Sequence, residues 1–142
     1  MATDQMAIDT THARRAQLRA AADAYFSALA QKNFEAIPYA EAVVLRAPLA
    51  PGGVHQPLVG REALRTIWWP PLAPALGPVR VLDYYTNDAL TGICAAAEIS
   101  VGDPPVVLRV ADRFAVNAAG QIVEQENHFD PRDVTNPGWQ QG

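Results

Sequence analysis

Apolar positions in the second half of the chain recur with the two-residue period of extended backbone. Four runs show it, at residues 79–87, 90–101, 106–117 and 121–130, and each is rich in β-branched or aromatic residues. The connections between them are short and carry the turn signals Asp88, "GDPP" and "AAGQ". Neighbouring runs are therefore expected to pair as antiparallel hairpins. The first half has a different period. Residues 7–31 are Ala-rich and free of Gly and Pro, and Leu18, Ala22, Tyr25, Ala28 and Leu29 fall on one stripe, which predicts an amphipathic helix. Asp9, Thr10 or Thr11 would cap its start. "FEAIPYA" predicts a short second helix interrupted near Pro38, and residues 42–48 a strand. Residues 49–60, with two Pro and three Gly, predict a loop. Residues 61–69 predict a short helix stopped by Pro70 and Pro71. Helices followed by a run of strands predict an α+β fold, with N-terminal helices packed on one face of a strongly curved, mostly antiparallel sheet.

Composition narrows the class of protein. A chain of 142 residues, 49% hydrophobic and 18% charged, suits one globular domain over residues 1–142. A flexible N-terminus and an irregular tail from about residue 131 are expected. The net charge of −4 argues against nucleic acid as a partner. Arg14, Arg15 and Arg19 form one solvated helix face rather than a basic patch. Cys94 is the single cysteine, so neither an intrachain disulfide nor a Cys-based metal motif is expected. His12, His55 and His128 are far apart in sequence, and no phosphate loop, dinucleotide fingerprint or serine elbow is present. No metal and no cofactor are expected. The N-terminal stretch lacks the apolar core of a secretion signal, and no segment is long and apolar enough to cross a bilayer. The expectation is a soluble cytoplasmic protein without a membrane partner.

Two features could carry chemistry. In the run at 106–116, Val106, Leu108, Val110, Asp112, Phe114 and Val116 share one face, so one carboxyl interrupts an apolar surface. Asp112 must either find a cationic partner or stay protonated. Tyr25, within the helix stripe, carries a hydroxyl that needs a partner if buried. The second feature is "VEQENHFDPRD", which sets Glu124, Glu126, His128 and Asp130 two residues apart, on one side of a strand. If that side faces a cavity, the row is the wall of an active site; if it faces water, it is a solvated strand face. The other side of the 106–116 run alternates Val107, Ala111 and Ala115 with Arg109 and Arg113, a half-apolar surface suited to a homodimer interface.

The stretches "AYFSALAQKNFEAI", "LVGREALRTIW" and "ADRFAVNAAGQIVEQENHFDPRD", in this order, resemble the nuclear-transport-factor-2-like (NTF2-like) superfamily over residues 15–133. Its enzymatic branches include SnoaL-like polyketide cyclases, ketosteroid isomerase and limonene-epoxide hydrolase. The resemblance implies a cone-shaped sheet around a pocket, with the first helix as its lid and the closing strand as one wall. It places Tyr25 and Asp112 as the two oxyanion-hole donors of the isomerase, a family in which an apolar site keeps a carboxylic acid neutral. Ala47 stands where that isomerase carries its general-base Asp. Asp130 is similar to the carboxylate that ends the last strand of the epoxide hydrolase. That enzyme's Arg and second Asp are not reproduced, and Glu98 is the one substitute. The implied catalytic set is Asp130, His128, Asp112 and Tyr25, with Trp68, Tyr84, Glu98, Phe114 and Glu126 binding substrate. The implied activity is cofactor-independent acid–base chemistry on a small, largely apolar carbonyl, hydroxyl or epoxide compound, of isomerase, dehydratase, cyclase or epoxide-hydrolase type. The alternatives are a non-catalytic ligand-binding module and the small subunit of an oxidoreductase.

Overall fold

The computed structural model describes residues 2–135. Helix α1 (Ala2–Gln31) packs on an open, curved six-stranded sheet. The stripe read from the sequence is its inner face: Leu18, Ala22, Tyr25, Ala28 and Leu29 are buried, joined by Ala21 and Phe26. The helix begins earlier than residue 7, and residues 4–10 are exposed. It ends with Lys32 in the left-handed region at φ 55°. There Lys32 N donates to Leu29 O and Asn33 N donates to Ala28 O, at 3.1 and 2.9 Å, the paired bonds that close a helix whose last carbonyls lack partners. The expected second helix is a single 3-10 turn, Phe34–Ala36.

Strands β1 (Tyr39–Arg46), β2 (Leu58–Val59), β3 (Leu76–Thr86), β4 (Gly92–Val101), β5 (Val106–Val116) and β6 (Ile122–His128) form the sheet in the order β2-β1-β6-β5-β4-β3. All neighbours are antiparallel except β1 and β6, which run parallel. Two of the three hairpin turns, β3–β4 and β5–β6, rest on an asparagine whose side-chain oxygen accepts two backbone N–H bonds. Asn87 Oδ1 takes those of Thr91 and Gly92, and Asn117 Oδ1 those of Ala119 and Gln121. Arg14 ties α1 to these two turns, donating to Leu90 O, Val116 O and Asn117 O at 2.7 to 2.9 Å.

The helix expected at 61–69 does not stop at Pro70. α2 (Arg61–Ala63) widens into a π-turn (Leu64–Trp68), and α3 (Trp69–Leu72) follows. Both prolines lie in the first turn of α3, where their missing N–H groups are not called on. The expected irregular tail begins with one helical turn, α4 (Arg132–Thr135); its remainder lies outside the described residues. No helix among the described residues is long and apolar enough to cross a membrane.

One local irregularity decides which residues of β6 face inward. Val116 pairs with Ile122, but Ala115 pairs with Glu124, so β6 carries one extra residue there. Ile122 is buried, yet the next buried positions are Gln125 and Asn127. The bulge inverts the alternation, because a one-residue slip moves every later side chain to the opposite face.

Candidate functional site

The concave side of the sheet, α1 and the 61–72 helical segment enclose a cavity of about 230 Å³. Its walls are mainly apolar: Leu29 from α1, Ala47 and Leu49 after β1, Ile67, Trp68 and Leu72 from the helical segment, Ile99 from β4, and Leu108 and Val110 from β5. Phe129 and Val134 close it from the C-terminal side. Three polar side chains reach it: Tyr25, Asp112 and Asn127.

Asp112 sits on the apolar face of β5 between Val110 and Phe114, and it is 1% exposed. Of the two fates open to it in the sequence, the cationic partner is not realised among the described residues. Its Oδ1 is buried with no hydrogen-bond partner, and burial raises its pKa from 3.8 to about 8. Taking a carboxylate out of water disfavours the charged form, so the group is mostly protonated at neutral pH. Tyr25 is held by aromatic packing against Phe26, Phe114 and Trp68, with centroids 5.0, 5.0 and 6.5 Å away. Burial, then the nearby Asp112, push its hydroxyl well above the usual tyrosine value. Tyr39, behind the cavity, is shifted upward for the same two reasons. It donates to Gln125 Oε1 at 2.6 Å, and Gln125 Nε2 donates to Asn127 Oδ1 at 3.0 Å. A buried hydrogen-bonded chain thus leads from the core to the cavity wall.

The charged row of β6 is on the other side of the sheet. Glu126 pairs with Arg113 across the strands, and His128 with Ala111, both on the face opposite Asp112. Arg113 bonds Glu124 and Glu126 at 3.0 and 3.1 Å, and His128 Nε2 lies 3.5 Å from Glu126 Oε2. The His128 side chain is 55% exposed and borders an open depression with Pro48 and Val54. Asp130 is half-buried beyond the strand end and bonds Arg132 Nη2 at 2.6 Å, which lowers its pKa. The expectation that His128 and Asp130 share a pocket with Tyr25 and Asp112 is corrected by the β6 bulge. Glu98 is also on the outer face, between Arg109 at 2.9 Å and Arg80 at 3.5 Å. Tyr84 bonds Asp23 of α1 beneath the Arg19 guanidinium, away from the cavity. Phe114 is fully buried and supports Tyr25 from behind. Of the nine residues singled out, Tyr25, Asp112 and Trp68 line the cavity. Asn127 and Phe129 were missed, although they alternate with the carboxylate row and follow directly once the phase is corrected. Among the described residues no cluster of His, Cys, Asp or Glu could hold a metal ion.

No protein-family model and no curated protein sequence matches the chain. Solved structures do, and they show its fold. An epoxide hydrolase/cyclase-like enzyme of pyran-ring formation in the polyether salinomycin matches with a TM-score of 0.72 at 14% identity, covering 84% of this chain and 95% of its own. A Mycobacterium tuberculosis protein solved with estradiol-17β-hemisuccinate matches at 0.68 and 15%, covering 80% and 94%. A steroid delta-isomerase from Pseudomonas aeruginosa matches at 0.63 and 18%, covering 82% and 81%. The architecture is the NTF2-like fold of such proteins.

Proposed function

We propose that this chain, an α+β protein of NTF2-like fold, is an acid–base enzyme whose pocket takes a small, largely apolar molecule with a carbonyl, hydroxyl or epoxide oxygen. Asp112 is the acid. The observation that carries this reading is the Asp112 carboxyl, buried in an otherwise apolar cavity wall with Oδ1 unpartnered and a pKa near 8. A proton donor matched to neutral pH is what general acid catalysis needs. Tyr25 is the second donor toward an oxygen that gains charge as a bond breaks.

Ala47, 3% exposed in the cavity wall, supplies no base at that place. This favours reactions in which the substrate brings its own nucleophile. In ring closure on an epoxide, one epoxide C–O bond breaks and its oxygen takes the Asp112 proton. A hydroxyl of the same molecule forms the new C–O bond and returns its proton to the Asp112 carboxylate. One group gives and recovers a proton, and the atoms balance. The likeness to a cyclase-like enzyme supports this choice among the isomerase, dehydratase, cyclase and hydrolase types.

The second reading is a ligand-binding module without turnover. It is favoured by the neutral character of all three polar lining groups, and by the neighbour solved with a steroid ester. A panel of hydroxy-epoxides and ketones, assayed for both binding and conversion, separates the two. Conversion that falls above about pH 8, and drops roughly 10² to 10⁴-fold in Asp112→Leu, supports the enzyme. Binding without conversion supports the module, and equal conversion by Asp112→Leu overturns the assignment of the acid.

A further inference from the structure

We propose that Asn127 is a ligand-binding donor of this pocket, held in one orientation by Tyr39 and Gln125. The pocket then selects molecules whose polar atom is an acceptor oxygen, such as a ketone or lactone carbonyl or an ether, over those offering only N–H donors. This rests on the reading of the cavity as a ligand site and narrows its substrate class.

The orientation follows from the direction of each bond. Tyr39 is buried and neutral, so its hydroxyl carries a proton to donate, and Gln125 Oε1 receives it at 2.6 Å. With that oxygen committed, the Gln125 amide nitrogen is turned toward β6's next inward residue and donates to Asn127 Oδ1 at 3.0 Å. Gln125 is 0% exposed, and reversing its amide would leave the buried Tyr39 O–H without its acceptor, which is costly. Asn127 is therefore fixed with its oxygen used and its Nδ2 free of any acceptor among the described residues. Its side chain lines the cavity. Directly across the ladder stands Asp112, and same-face partners of this kind have Cβ atoms only about 5 Å apart. These two neighbours do not bond each other, and Asp112 Oδ1 lacks any partner. A protonated carboxyl offers one O–H donor beside the amide N–H₂, and an acceptor oxygen placed between them takes a hydrogen bond from both.

Asn127 would contact the ligand, whereas Tyr39 and Gln125 act as positioning residues. The test compares 2-tetralone with 1,2,3,4-tetrahydroquinoline, an anilinic amine that is largely uncharged at that pH, by calorimetry at about pH 6, where Asp112 is neutral. Wild type should prefer the ketone. Asn127→Leu should lose about ten-fold in ketone affinity, the scale of one hydrogen bond, with little change for the amine. Tyr39→Phe releases the Gln125 amide and should narrow the ketone-to-amine ratio, whereas a merely structural role would weaken both probes alike. An unchanged ratio in Tyr39→Phe and Asn127→Leu overturns the inference. If Asp112→Leu weakens ketone binding while the Asn127 and Tyr39 variants match wild type, the inference fails and the ligand site stands. If neither probe binds wild type at millimolar concentration, both fail.

Discussion

Asp112 of β5 and Asn127 of β6 are direct cross-strand partners on the concave face of the sheet, 1% and 6% exposed. Neither satisfies the other. Asp112 Oδ1, buried without a partner, lowers stability by an amount on the order of a kcal/mol, and the pocket reading gives that loss a use.

The pH dependence of stability is the direct check on Asp112. Its pKa rises from 3.8 to about 8 on folding, so the native state holds a proton that the unfolded chain releases. Its contribution is fully present below about pH 4 and is lost as pH rises toward pH 8. Asp112→Asn should remove this slope, leaving a flatter curve, and should exceed wild type at pH 8 by on the order of a few kcal/mol. Denaturant unfolding at several pH values measures it. A wild-type curve with no decline from pH 4 to pH 8 would show Asp112 ionised in the folded protein.

His128 and Asp130 should be dispensable for ligand binding. His128→Ala removes an exposed side chain beside Glu126, and Asp130→Ala a surface pair with Arg132. Neither change should alter the affinity of any pocket ligand by more than about two-fold, and stability should move by less than about 1 kcal/mol. A hundred-fold loss of turnover in either variant would return the active site to the closing strand.

Gly92 of β4 pairs with Ala115 of β5. A Cβ there would meet the Phe114 carbonyl oxygen at 2.7 Å, so Gly92→Ala must push backbone away from backbone. The expected loss is about 1 to 3 kcal/mol, read as a lowered melting temperature. Phe114 buttresses Tyr25, so weaker ligand binding should accompany it.

The outer face of the sheet is expected to form a twofold homodimer. Val107 is 54% exposed there, on the same face as the small residues Ala96, Ala111 and Ala115. The Arg80–Glu98–Arg109 and Arg113–Glu126 pairs give this face both signs of charge, as a self-complementary contact requires. Light scattering should give a dimer at micromolar concentration, and Val107→Glu should shift it toward monomer. A monomeric wild type would rule the interface out.

The run of four antiparallel strands from β3 to β6 and the burial of Asp112 were legible in the sequence because they depend on local period. Uninterrupted alternation from Val106 to Val116 needs no knowledge of neighbours, and the Ala-rich stripe of α1 likewise fixes its own inner face. The inward face of β6 was not legible. Its phase is set by the extra residue between Ile122 and Glu124, a consequence of fitting β6 against β5 and β1 at once. Counting by two therefore put Glu126 and His128 where Gln125 and Asn127 belong. The pocket itself is also a tertiary product: Ala47, Trp68, Asp112 and Asn127 come from four separate parts of the chain. Periodicity reports which side of an element is apolar, while register and bulges, which arise only when strands pair, decide which polar residues share a cavity.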